Sequence, residues 1–453
     1  MTTLPEVNAK FAVDVYHSLR KEHPCENLLF APVNATSSLG LLALASGCEQ
    51  AAEIEKILHW DELEECDGSK HKRYISAARS FGRSAITLKT QQAQQRSESC
   101  PKARPRPEPA CQRPRARPEP ECSPCPERNV PDYECESPEG VHTAFSKILA
   151  TLNAPSTNYT LNFANKLYGD HVIDFIEKFI YCALKLYWSE VAEADLKNAP
   201  EEVRRIINLW VEVKTQGKIK CLLPKGSFDC LAQLLKVNAL YFKGEWHVKF
   251  DKALTVEAPF YPHCADAKTC YSVQLMNRKG IFNTATFNIC ETQVQVVEIP
   301  YKDHELSLFV LLPLDCSQEA LEQLEDALSH EHLLDWSCHL KPEEVDVFIP
   351  KFSLEKSLYL HEYLALHDLA DPEKADFSRA TCTDGVALTL LVHDTFVEFD
   401  EEGGEEAAAS PRCRDRRQNR EVLEFVANHP FLYFIHHNCT QSILALGRFA
   451  KPE

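Results

Sequence analysis

The sequence predicts a single α+β domain spanning residues 1–453 and interrupted by one long insertion outside its core. Three observations lead there. Apolar residues make up 44% of the 453-residue chain, enough for a sizeable core. Helix-period and strand-like runs both recur along it. Between Pro101 and Pro138, by contrast, eleven of the chain's 27 prolines fall in a stretch without periodic apolar residues.

The elements follow in order. Val7 to Trp60 reads as helical, with Phe11, Val15 and Leu19 repeating on one face. A second helical stretch follows Pro32 over residues 34–46, and a third runs from Ala51 to Leu58, where Ile54 and Leu58 are four apart. Composition then breaks. Cys100, Cys111 and Cys122 each open a turn of an imperfect repeat of 11 residues dense in proline, arginine and glutamate. Proline bars a helix interior or a central strand, so residues 62–140 are predicted to be a disordered insertion of polyproline II character. A helical pattern resumes from Val141 to about Leu152, followed by strand-like Tyr159–Asn165. Leu306–Leu312, Val345–Ile349 and Phe431–Ile435 are short apolar runs of strand length. Helices and strands sharing one core give the α+β class.

Bulk charge narrows the function. A net charge of −18 disfavours nucleic acid and anionic membranes as general partners. No apolar run reaches 18 residues, so no spanning helix is expected. Met1–Lys10 has neither a basic n-region nor an apolar h-region and does not read as a signal peptide. Nineteen scattered cysteines, an odd number, fit reduced thiols better than a disulfide framework. These features predict a cytoplasmic monomer, with release by an unconventional route left open. Cys122 and Cys125 have the spacing of half a zinc site, but the other cysteines are irregularly placed and no metal is expected. A nucleophile elbow, a P-loop, a dinucleotide fingerprint and a metalloprotease helix are all missing, so neither catalysis nor a cofactor is expected.

The runs Asn27–Val33, Ile207–Ile219, Val237–Trp246, Ile349–Phe352 and Ala375–Ser378 occur in an order and spacing that resemble the serpin family. So do the acidic, Gly/Ala-rich segment Thr395–Ser410 and the C-terminal runs Phe425–Phe431 and Ile443–Phe449. The long insertion after the third helix and the absence of a signal peptide resemble the ovalbumin-like, clade B group. This resemblance implies a large central mixed sheet with helices and an exposed reactive loop, here residues 401–425. It also implies a polar cluster behind the sheet that governs its opening. His393 and Asn238 match two members, while the family's two serines are replaced by Ala31 and Asn34. Asn34 is expected to bond His393, whereas Ala31 has no side chain to do so. A satisfied core histidine is the plainer reading of His393, and both stand.

Counting back from Phe425, the family spacing puts the bait bond at Arg417-Gln418. An arginine there suits trypsin-like serine proteases, whose specificity pocket holds a buried carboxylate. By resemblance the hinge is Glu402, Gly403, Gly404, Glu405, Glu406, Ala407, Ala408, Ala409 and Ser410. After cleavage this segment inserts into the sheet in the family, with alternate side chains turned to the core. Gly404, Ala408 and Ser410 suit that burial, but Glu406 does not. If burying its carboxylate added only about 2–3 kcal/mol to the barrier, insertion would slow on the order of 30- to 150-fold. Pro411 removes a ladder hydrogen bond as well. The alternative is therefore a non-inhibitory binding protein or protease substrate of the same fold.

Overall fold

The computed structural model describes residues 2–63, 132–262, 270–405 and 422–452. Met1–Asp67 and Cys135–Glu453 make up one compact unit, and Gly68–Glu134 another. Nearly all of the second lies outside the described residues.

The chain opens with α1 (Leu4–Glu22), β1 (Leu28–Phe30), α2 (Pro32–Ala45) and α3 (Cys48–Ile57). Thr3 caps α1 in a capping box with Glu6, which satisfies the first free N–H groups, and Phe11, Val15 and Leu19 are all buried. Next come α4 (Val141–Leu152), β2 (Tyr159–Asp170), α5 (Glu177–Tyr187), β3 (Glu190–Ala194) and α6 (Pro200–Lys214). Six strands follow: β4 (Leu234–Gly244), β5 (Trp246–Val248), β6 (Val256–Phe260), β7 (Tyr271–Ile289), β8 (Thr292–Pro300) and β9 (Leu306–Pro313). Then come α7 (Gln318–Ala327), α8 (His330–His339), β10 (Lys341–Pro350), β11 (Phe352–Tyr359), α9 (Leu360–Tyr363) and β12 (Leu388–Phe399). The chain ends with β13 (Gly403–Glu405), β14 (Leu423–Val426), β15 (Phe431–His437) and β16 (Ser442–Phe449).

Two large sheets organise all of these strands except β5 and β13, which pair with each other. The larger has the order β1-β16-β15-β9-β8-β7-β10-β14, with β6 on β7. The five-stranded sheet has the order β11-β12-β4-β2-β3. Its central pair, β12 and β4, is parallel, while β11 and β2 flank that pair antiparallel. One face packs on the main core with α2 behind it. The other is covered by α6, where Val203, Ile207 and Val211 meet Leu235, Val237, Leu390 and Val392. Covered on both sides, β4 is apolar almost throughout. Of its three polar residues, Lys236 and Asn238 are fully buried and Lys243, near the end of the strand, is half-buried.

Three expectations change. The helical reading of Val7–Trp60 hides β1, whose three buried residues pair Leu28 with Arg448 and Phe30 with Leu446 on β16. The ends of the insertion expected over 62–140 are packed. Glu62 lies in a short 3-10 turn and pairs with Lys10, Cys135 packs on the core, and Glu136 Oε2 accepts from Thr143 N at 2.7 Å. Composition reports no such anchors; the middle of that segment is outside the described residues. The thiols are not uniformly reduced either: Cys135 is disulfide-bonded to Cys182 of α5, and Cys316 is disulfide-bonded too. Nine other described cysteines are free.

Candidate functional site

The parallel seam between β12 and β4 runs from Leu388 opposite Leu234 to Glu398 opposite Lys243. Midway along it, His393 lies beside Asn238. His393 Nδ1 donates to Asn238 Oδ1 at 2.9 Å, and its Nε2 accepts from the backbone N–H of Ala31 at 3.1 Å. Thr395 Oγ1 sits 3.1 Å from the same Nε2. With Nε2 an acceptor, the ring is neutral and carries its proton on Nδ1. Burial agrees, pushing its pKa down to about 3. Asn238 Nδ2 in turn donates to Asn34 O (2.8 Å), Asn34 Oδ1 (2.9 Å) and Ser38 Oγ (2.6 Å).

This arrangement corrects one expectation: Asn34 reaches Asn238, and only through it His393. The second ring nitrogen is taken by Ala31, the N-cap of α2, whose main chain supplies the bond its side chain cannot. Ser38 and Thr395 were missed. The signal for Ser38 is a polar triplet, Thr36-Ser37-Ser38, that with Asn34 interrupts an apolar helix, and all three are buried.

The upper end of the seam is held by charges within reach of solvent. Glu398 accepts from Lys218 at 2.6 Å and Lys243 at 3.1 Å, and Lys243 also meets Asp400 at 2.6 Å. Burial works against the charge on Lys243, yet the two carboxylates raise its pKa. Tyr241 and Phe396 pack edge to face across the seam at 5.8 Å, with Lys218 Nζ 5.6 Å from each ring.

Beyond β12 the hinge leaves the sheet. Glu401 is buried; burial would raise its pKa, but Lys351 at 2.7 Å and Thr255 at 3.0 Å hold it below the usual value. Glu402 pairs with Lys252. Gly403, Gly404 and Glu405 form β13, which runs parallel to β5, Gly403 beside Trp246 and Glu405 beside Val248. Glu402 O accepts from Trp246 N and Glu401 O from Phe250 N, each at 3.1 Å. The rest of the expected site, Glu406, Ala407, Ala408, Ala409, Ser410, Arg417 and Gln418, lies outside the described residues.

Elsewhere, Asp170, His171 and Asp195 bring three possible metal ligands together. The Asp170 carboxylate already accepts from Val172 N and Lys197 N, which accounts for it as a loop fastener. No helix among the described residues is long and apolar enough to cross a membrane.

A two-faced sheet divided by a parallel seam, with an extended segment rising from one seam strand, defines a class of protein. Comparison with known proteins identifies it. The serpin (serine protease inhibitor) family pattern matches residues 6–99 and 127–452. Serpin B3 of Homo sapiens is 32% identical over 464 residues, covering 100% of both chains. The leukocyte elastase inhibitor of Equus caballus is 32% identical over 463 residues, again with 100% of both. Among solved structures, uncleaved ovalbumin matches with a TM-score of 0.77 at 23% identity over 100% of both chains. Maspin matches at 0.75 and 26% identity, over 99% of this chain and 98% of its own. The chain belongs to the serpin family, in its ovalbumin-like, clade B group.

Proposed function

We propose that this serpin inhibits trypsin-like serine proteases in the cytoplasm, using Arg417-Gln418 as the bait bond and insertion of the hinge into the β12–β4 seam to trap the acyl-enzyme. The observation that carries this reading is the hinge itself: it leaves the end of one seam strand and pairs on β5 outside the five-stranded sheet. A segment doubling back from Phe399 would run antiparallel to both β12 and β4. It would exchange one parallel ladder for two antiparallel ones, the stronger pairing per residue. Within the described residues the polar groups that must first part are neutral hydrogen bonds and solvent-exposed ion pairs, each of modest cost. In this reading the acyl-enzyme is the ester of the protease serine with the Arg417 carbonyl.

The second reading, a non-inhibitory binding protein or protease substrate, draws support from Glu401 and Glu402, paired with Lys351 and Lys252 outside the seam. Glu406 and Pro411 favour it too. Incubation with trypsin followed by denaturing electrophoresis and mass spectrometry separates the two. A covalent complex whose released peptide begins at Gln418 is expected. Clean cleavage at Arg417 without a complex would establish the substrate reading, and cleavage only at Arg412 or Arg420 would overturn the register.

A further inference from the structure

A cavity of about 320 Å³ opens between α2, α4, β2 and α5, on the α2 side of the five-stranded sheet. That is the lower end of the range for small-molecule sites. Its floor includes Asn34, Ser37 and Asn165, and its walls include Leu149 and Phe163. Asn34 is 1% exposed, and its Nδ2 has no hydrogen-bond partner among the described residues. A buried amide N–H without an acceptor costs about 1–3 kcal/mol, so this donor favours a ligand that brings one. Ser37 Oγ accepts from Asn165 Nδ2 at 2.9 Å, which leaves its own proton to donate.

Behind this floor stands a buried amine. Lys236 is fully buried and donates to Asn165 Oδ1 and Ser189 Oγ. It forms no ion pair among the described residues, and burial alone drives its pKa down. At the mouth, Glu190 is shared by two lysines, Lys166 at 3.0 Å and Lys214 at 3.3 Å, leaving one positive charge in excess. The mouth is also apolar. Ile180, Leu184 and Trp188, four residues apart along α5 and its C-cap, are 39%, 58% and 49% exposed and lead outward from it.

We propose that this cavity binds a fatty monocarboxylate. Its carboxylate accepts from Asn34 Nδ2 and Ser37 Oγ, with Lys236 behind them. Its chain leaves past Trp188 and lies along Leu184 and Ile180. The two donors call for an acceptor head, the excess lysine charge at the mouth and a buried amine that only an adjacent anion would keep protonated call for an anionic one, and the exposed stripe calls for a tail longer than the cavity. Asn34 is shared with the seam network, but its bonds to Asn238 need no ligand, so failure of this site would leave the protease reading intact.

Dodecanoate, kept below its micellar concentration, tests the proposal by calorimetric titration alongside tryptophan emission. Saturable binding of one equivalent is expected, with a rise in melting temperature because the native state alone binds. An emission change absent from Trp188→Phe should accompany it. Leu184→Glu places a carboxylate on an exposed rim position; it should melt as the parent does and bind at least about tenfold more weakly, a difference of about 1.4 kcal/mol. Dodecan-1-ol, lacking the charge, should bind far more weakly than the acid. No saturable binding, equal binding of the alcohol, or unchanged affinity in Leu184→Glu would each overturn the assignment.

Discussion

Two buried polar networks in this molecule are built in opposite ways. The first joins α1, α7 and β16: Arg448 and Glu325, 1% and 2% exposed, meet at 2.8 Å, and Tyr16 donates to Glu325. Arg448 also donates to the carbonyls of Glu26 and His23. The second joins β12, β4 and α2 through His393, Asn238, Asn34 and Ser38, and every member is neutral. Across that seam, charged pairs occur only where solvent reaches them, as for Glu398 and Lys243, 21% and 32% exposed. A buried ion pair is strongly destabilising to break, because one charge is left stranded; a neutral hydrogen bond nets only about 1 kcal/mol. The first network suits elements that stay together, and the second suits strands that part under the proposed mechanism.

The comparison is broken most directly at Glu325. Glu325→Ala leaves Arg448 buried without its partner and should cost about 3–5 kcal/mol in a urea titration. A loss under about 1 kcal/mol would mean that the charged network is no tighter than the neutral one.

The next effect is in pH. His393 has a folded pKa of about 3, below its ordinary value near 6.5, because burial disfavours the imidazolium. The unfolded chain takes up that proton as pH falls through about 6.5 and the folded chain does not, so the histidine lowers stability on acidification down to about pH 3. Its neighbour Asp394 has the opposite sign. Burial raises its pKa from 3.8 to about 7, and although Ser357 donates to it, its Oδ1 has no partner among the described residues. The folded chain keeps this proton where the unfolded chain has lost it, so its contribution disappears as pH rises from about 4 through 7. Between about pH 4 and 6.5 the two nearly cancel. Asp394→Asn should expose the histidine, with stability rising by up to about 1.4 kcal/mol per pH unit; His393→Gln should show the reverse slope. Denaturant titrations across that window measure both, and equal slopes in the two variants would remove the assignment of the compensating pair.

The smallest effect sharpens the picture. Ser38→Ala removes one of three acceptors of Asn238 Nδ2 and should cost about 1 kcal/mol or less. Amide exchange should quicken in β4 and β12 while β15 and β16 are unchanged. Uniform acceleration would place Ser38 in the global core instead of the seam.

What the sequence revealed follows from which groups carry side-chain information. Phe11, Val15 and Leu19 announced α1 because one helical face is buried. β1 was hidden because all three of its residues are buried, so no alternation marks it. Asn238 and His393 were found through resemblance, but the third partner is a main-chain N–H at Ala31, and any non-proline residue supplies one. Asp394 could have been seen: it interrupts the series Leu390, Val392, Phe396 on the face toward α6. Lys10 with Glu62, and Cys135 with Cys182, fasten the ends of the insertion through pairings far apart in sequence, which local composition cannot report.

Helix α2 keeps count of the strands it crosses. Its N-cap Ala31 serves β12, Asn34 and Ser38 serve β4, and Ser37 serves Asn165 on β2. From Ala31 to Ser37 the helix climbs about 9 Å at 1.5 Å per residue, and two strand spacings come to about 9.6 Å. Helix and sheet therefore behave as two commensurate rulers laid crosswise, in register at three marks. A sixth strand between β12 and β4 would add about 4.8 Å on one side of that scale, close to a single helical turn of 5.4 Å. The rulers could then agree on either side of the new strand but not on both, so α2 must slide by a turn or surrender a mark.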